Sequence, residues 1–255
     1  MHHASIDRYA SLESPVHRLD ARAKLVAVLV CTAAAVSEPR HEVAGLLPYL
    51  VPPAALILAS GVPVSFILKR LLVISPFALS VAALNPIFET WPVRVGLGPW
   101  ETTVRAGWVT GGSILLKFLV SALALLLLAT TTRLSRLAGA MSSLGVPRAL
   151  AMQVALLYRF VFLVVDEFGR AHRAASARAV GSKGLAPAAA AALAGLFARA
   201  LRRAERVTQA MTARGFDGSF AGASAARLRA ADVLFVAAAL ALSAGLRLRG
   251  LWLEG

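Results

Sequence analysis

The chain has 255 residues, 58% hydrophobic and only 16% charged, with a mean hydropathy of +0.70. A soluble domain carries about 25% charged residues, so this composition is ill suited to water and excludes disorder, collagen and a disulfide scaffold in favour of a polytopic membrane protein. Lys and Arg number 27 against 13 Asp and Glu, a net of +14 that suits nucleic acid, anionic lipid or an acidic protein, and the lone Cys31 excludes an internal disulfide.

Five apolar runs predict membrane spans over roughly 25–37, 43–60, 71–84, 108–130 and 231–246. About 20 apolar residues are needed to cross a hydrocarbon core of about 30 Å, so the first and third must tilt or borrow flanking residues. The first run has no small-residue cleavage pattern after it, so it reads as a retained helix and not a signal peptide. With a cytoplasmic N-terminus and alternating spans, Arg8, Arg18, Arg22, Lys24, Lys69 and Arg70 fall inside, together with the 15 basic residues of 131–230. Only Arg40, Arg94, Arg105, Arg247 and Arg249 fall outside. That asymmetry follows the positive-inside rule. The expected organisation is a membrane domain over 1–130, a cytoplasmic domain over 131–230, and a last span with its tail over 231–255.

Residues 131–230 hold 15 basic side chains against Asp166, Glu167, Glu205 and Asp217. Thr130, Thr131 and Thr132 give a polar exit from the fourth span, and a short helix then runs to about Leu144. Gly145-Val146-Pro147 breaks it, since glycine ends helices and proline starts them. From Arg148 to about Val180, Leu150, Val154, Leu157, Val161, Val164 and Phe168 recur at three- and four-residue steps, which predicts a long helix. Arg159 at its middle and the acidic pair after it predict a helix that skims the membrane without crossing. A turn over 181–187 precedes a third helix over about 188–213. Leu193, Phe197, Ala200, Ala204, Val207 and Met211 form one stripe of it, with Arg199, Arg202, Arg203 and Arg206 mostly opposite. Gly215 stands where a glycine closes a helix, and a Gly/Ser/Ala-rich stretch over 217–226 links to the last span. The outer loop over 85–107 shows no clear chemistry.

The chain has no Gly-x-x-x-x-Gly-Lys-Ser/Thr phosphate loop, no His-Glu-x-x-His, no Gly-x-Ser-x-Gly and no spaced Cys/His set. Lys117 is the obvious ionisable group within a span, and it lacks an evident acidic partner in the sequence. With no clear two-fold repeat either, a stand-alone carrier is disfavoured. An intramembrane enzyme would have to use Asp166, Glu167 and His172, but adjacent helical carboxylates point about 100° apart and make a poor acid/base pair. The apolar spans argue against a nucleic-acid-binding protein.

Two triplets give the direction. Ala177-Arg178-Ala179 and Ala213-Arg214-Gly215 end two consecutive basic helices between the fourth span and the last. In this setting they resemble the paired Ala-Arg-Gly signatures of the transmembrane coupling subunits of energy-coupling factor (ECF) transporters; Ala179 departs from the first signature. The run from Ser14 to Leu25 is similar to that family's N-terminal signature, with Ala21 where a proline is common. Leu144-Gly145-Val146-Pro147 followed by Tyr158-Arg159-Phe160 looks like its entry into the coupling domain, and Ile6-Asp7-Arg8-Tyr9-Ala10 resembles the cobalt-type CbiQ members.

The resemblance implies an all-α polytopic membrane protein, with about five transmembrane helices plus a cytoplasmic three-helix coupling domain, in the inner membrane of a bacterium. It implies a non-catalytic subunit of an ATP-driven importer, without a cofactor of its own, because ATP and Mg would be bound by two CbiO-like ATPase subunits. A CbiM-like membrane subunit, with a small CbiN-like one, would bind the substrate: cobalt first, nickel second, a vitamin such as biotin as the alternative. The ATPase-docking residues it implies are Ala177, Arg178, Ala179, Ala213, Arg214 and Gly215. An arginine at a helix C-terminus sits favourably in the dipole and offers a rigid fork of donors, while small neighbours allow close approach to a partner.

Plainer roles suit the remaining features. The stripe from Arg199 to Arg206 also fits anionic headgroups, at about 1 kcal/mol per cation. Met1-His2-His3 reads as a flexible terminus, His172 as a polar-face residue, and Cys31 as packing. Lys117 is expected to snorkel or to pair within the complex. Gly111-Gly112 either permits close helix approach or kinks the span.

Overall fold

The computed structural model describes residues 9, 12, 14–40, 43–97, 100–178, 185–216 and 228–254. Met1-His2-His3, Ala179, Gly181 and the linker over 217–226 lie outside the described residues. Among the described residues the fold is helical except for one hairpin, and the chain divides into two compact units: 1–133 with 226–255, and 134–225.

In the first unit Ser14 caps a single turn, α1 (Pro15–Arg18), its Oγ accepting from the His17 amide. Asp20 caps α2 (Ala21–Ser37) by accepting from the Arg22 amide at 2.8 Å. Ala21 thus holds the first helical position, where a proline's missing N–H and fixed φ cost nothing. α3 (Val43–Ser60) accommodates Pro48, Pro52 and Pro53, and Gly61 at φ +74° ends it before α4 (Val64–Phe88). The loop expected over 85–107 contains an antiparallel hairpin, β1 (Pro92–Leu97) and β2 (Trp100–Arg105), with Pro92 opposite Arg105 and Leu97 opposite Trp100.

α5 (Ala106–Thr131) packs against α2, α3 and α4. One core cluster joins Val16, Ile57, Ile67, Leu123, Leu126 and Leu127; a second joins Cys31, Ala35, Leu46, Tyr49 and Val120. In lipid such packing stabilises through close contact, because the tails outside are equally apolar. Against α4 the contact is tightest: a Cβ on Gly107 would stand 2.5 Å from the Asn85 carbonyl oxygen, and one on Gly111 would stand 2.7 Å from that of Ala82. Gly112, by contrast, faces open space.

α9 (Ala230–Glu254) packs on α2. Asp232, only 3% exposed, ties their starts together: Oδ1 accepts from the Asp20 amide and Oδ2 from the Arg229 amide, each at 2.8 Å. Asp232→Ala takes a charged acceptor from two backbone donors, so it is expected to lower stability by about 3 kcal/mol, read as an earlier unfolding midpoint in detergent.

The second unit holds α6 (Leu134–Ser143), α7 (Arg148–Arg178) and α8 (Leu185–Ala213). α8 begins within the expected turn, with Pro187 in its first turn, where proline has no hydrogen bond to break.

Among the described residues five helices are long and apolar enough to cross a membrane: Val43–Ser60, Val64–Phe88, Ala106–Thr131, Ala149–Ala174 and Ala230–Leu248. The number expected from the sequence holds, but the set differs. α2, expected as the first span, has 17 residues and a length of about 26 Å at 1.5 Å per residue, short of a core of about 30 Å. Ala149–Ala174, expected to skim the surface, meets the criterion by length and composition.

Candidate functional site

The α7–α8 pair carries the described residues of both triplets, and local chemistry defines where α7 begins and where α8 ends. α6 ends in a glycine-terminated C-cap: Gly145 has φ +98° and the Val146 amide donates to the Met141 carbonyl at 3.1 Å. Pro147 then supplies the carbonyl that the Ala151 amide reaches at 3.2 Å as α7 begins.

α8 ends the same way. Gly215 has φ +75°, its amide donates to Thr212 O at 3.0 Å, and the Phe216 amide donates to Met211 O at 3.0 Å. This is a Schellman closure, in which glycine takes the left-handed position at little steric cost. The glycine of Ala213-Arg214-Gly215 therefore has a structural reason, and Arg214 sits at the cap with Ala213 and Gly215 exposed beside it. In the first triplet Ala177 is exposed on the last turn of α7 and Arg178 is its final residue.

The two helices run antiparallel. Glu167 Oε1 accepts from Arg199 Nε at 2.6 Å, with both side chains partly exposed, so the ion pair fixes register more than it adds stability. Leu156, Phe160 and Leu163 of α7 face Val207 and Met211 of α8 across a groove of about 550 Å³. Three guanidinium-bearing residues line it as well: Arg159, Arg203 and Arg214. Three cations over an apolar floor form a surface suited to carboxylate-bearing, partly apolar segments.

Because α7 rises about 1.5 Å per residue, the 22 residues from Leu156, beside Arg214, to Arg178 place the two triplets roughly 33 Å apart, at opposite ends of the pair. Arg159 and Arg203 were legible only as a charge within an apolar helix and as part of a basic stripe. What brings them to Arg214 is the antiparallel register, which a single helix's periodicity does not contain.

The residues of the enzyme alternative are otherwise engaged. Glu167 pairs with Arg199, and His172 stacks on Phe168 with ring centroids 5.9 Å apart. Among the described residues no group of three or more His, Cys, Asp or Glu side chains is placed to hold a metal ion. Lys117 has partners that its own surroundings in sequence do not show: Nζ donates to the Val36 carbonyl at 3.1 Å and the Glu38 carbonyl at 2.6 Å.

Comparison with known proteins agrees with this architecture. Residues 13–223 match the CbiQ family, described as cobalt transport protein. The chain is 30% identical over 240 residues to the energy-coupling factor transporter transmembrane protein EcfT of Heliobacterium modesticaldum, covering 84% of each chain. It is 28% identical over 257 residues to EcfT of Clostridium kluyveri, covering 93% of each. The matched region includes the capped N-terminal helices, the central α5 and the whole α7–α8 pair, and on these grounds the chain belongs to the CbiQ family, as a non-catalytic, multi-pass transmembrane subunit of the ECF transporter type.

Proposed function

We propose that this subunit is the scaffold through which two ATPase subunits drive a separate substrate-binding membrane subunit in an ATP-dependent importer. The N-terminus and residues 131–230 lie on the cytoplasmic side of a bacterial inner membrane, where the basic residues concentrate; this requires α2 to cross as well, with flanking residues adding to its 17. The ATPase subunits dock at the two ends of the α7–α8 pair, with Ala177, Arg178 and Ala179 at one and Ala213, Arg214 and Gly215 at the other. α7 lies along the membrane surface in this reading. Its exposed Leu157, Val161 and Val165 suit an apolar contact, while Leu156, Phe160 and Leu163 turn to α8 beside Arg159.

The observation that carries the proposal is the separation of the triplets. Two small-Arg-small helix ends roughly 33 Å apart suit two docking events and not one composite site. ATP-driven closure of the ATPase pair then reaches the membrane helices as rigid-body movement of α7 and α8. The transported ion is cobalt, which the family's description supports, with nickel as the second choice. The two relatives are named for ECF transport without a substrate, which favours keeping a vitamin such as biotin as the second reading.

Reconstitution of the subunit with its ATPase and substrate-binding partners in proteoliposomes tests this. Uptake of labelled cobalt that requires ATP and every subunit is expected. Biotin uptake without metal uptake would transfer the assignment to the vitamin type. Uptake by this chain alone would contradict the scaffold.

A further inference from the structure

α2 and α5 run antiparallel, and each sends a lysine to the other's C-terminus. Lys24, in the first turn of α2 and 4% exposed, donates from Nζ to the Thr131 carbonyl at 3.0 Å and to Thr132 Oγ1 at 3.3 Å, where α5 ends. Lys117, within α5, donates to the carbonyls of Val36 and Glu38, where α2 ends. The last four carbonyls of a helix have no intrahelical partner and carry about half a negative charge, and hydrocarbon supplies no water to satisfy them. Two ammonium groups at opposite ends of one helix pair meet that need in both directions.

The flanking chemistry supports the same arrangement. Thr130 and Thr131 turn their hydroxyls back to the Leu126 and Leu127 carbonyls at 2.7 Å each, occupying acceptors one turn earlier. At the other end Tyr49 donates to Glu38 Oε1 at 2.9 Å, which holds the residue whose carbonyl Lys117 takes. Between the two ends lie Cys31, Ala35 and Val120, buried in one cluster. α6 begins at Leu134, three residues beyond Thr131.

We infer that Lys24 and Lys117 form a reciprocal clamp, a pair of positioning residues that lock α2 and α5 in one register so that they move as a single body. The part of this that concerns transport rests on the scaffold reading above: a locked α5 end fixes the point from which the chain continues into the coupling helices, so force is not lost to sliding between α2 and α5.

Cys31 is the chain's single cysteine and sits on α2 between the two lysine contacts, which makes it a native reporter. The experiment follows alkylation of Cys31 by N-ethylmaleimide in the assembled complex in membranes, read by mass spectrometry of this chain, beside uptake per ATP hydrolysed. Lys117→Met and Lys24→Met are each expected to speed alkylation about tenfold or more, in keeping with the loss of charge-assisted hydrogen bonds. Both are expected to lower uptake per ATP by a similar factor while hydrolysis continues. Lys117→Arg, which keeps charge and donors, should alkylate as slowly as the native chain.

If Lys117→Met fails to reach the membrane, Lys117→Gln, a neutral donor, should fall between Arg and the native rate on one side and a freely alkylated chain on the other. Alkylation at the native rate in Lys117→Met or Lys117→Gln would overturn the clamp. Faster alkylation with unchanged uptake per ATP would overturn its role in coupling. A native complex with no ATP-dependent uptake would count against the scaffold reading itself, and the alkylation result would still decide the clamp.

Discussion

Arg178→Ala combined with Arg214→Ala is expected to abolish ATP-dependent uptake while leaving the protein in the membrane at its normal level. Arg214 is exposed at the capped end of α8, and Arg178 is the final residue of α7. Arg214 belongs to neither core cluster of the membrane unit and Arg178 is the last residue of its helix, so folding should survive their loss. Truncating one partner of a buried charge pair at an interface costs about 2–5 kcal/mol, which would be at least a thirtyfold loss of affinity at each proposed docking site. Lost at both ends together, the ATPase subunits should no longer hold the scaffold. Each single variant should retain the partner docked at the other end, so the two singles separate the two sites. The readouts are uptake in cells and the amount of each protein in the membrane fraction; full uptake by the double variant would remove these arginines from the docking surface.

The second large effect is structural. Gly107→Val is expected to destabilise the membrane unit by about 3 kcal/mol or more, since even a Cβ would meet backbone atoms of Asn85 and Pro86 at 2.5 Å and those atoms have no flexible end to move aside. Gly111→Val should behave similarly against the Ala82 carbonyl, at 2.7 Å. Gly112→Ala is the control: nothing lies within 4 Å of its added methyl, and alanine favours the helix by up to about 1 kcal/mol over glycine. Unfolding midpoints in detergent should therefore fall for the first two and hold or rise for the third. A Gly107→Val protein as stable as the native one would mean that α4 and α5 do not approach as closely as the structure has them.

These glycines show where the sequence was legible and where it stopped. Gly111-Gly112 stood out as a candidate for close approach, but which of the two faces α4, and that Gly107 one turn earlier joins it, depends on a helix–helix contact and not on local composition. α4 begins at Val64 and runs straight through Lys69 and Arg70, which the sequence placed in a loop between spans. A helix needs only its own backbone hydrogen bonds to continue, and Arg70 finds a local outlet over the Phe66 ring at 4.9 Å.

The hairpin escaped for a related reason. Val93, Val95, Thr102 and Val104 carry strand propensity, but they are divided among glycines and prolines into segments too short to show an alternation. Lys117 showed no acidic partner in the sequence because its acceptors are carbonyls at the end of another helix, a kind of partner that no side-chain pattern announces.

The candidate site divides along the same line. Gly145, Pro147 and Gly215 mark helix ends by local chemistry, and the structure puts caps at each of those places. The groove joining Arg159 and Arg203 to Arg214 is a product of antiparallel pairing between helices separated by more than 30 residues in parts of their contact, so it became visible only with the fold.

The most direct test of the scaffold is its company in the membrane. Tagged protein from gently solubilised native membranes, purified and examined by mass spectrometry, should bring down ATPase subunits together with a substrate-binding membrane protein, and the Arg178→Ala, Arg214→Ala double variant should bring down the membrane protein without the ATPases. Native protein that comes down without any ATPase at every salt concentration would contradict the account.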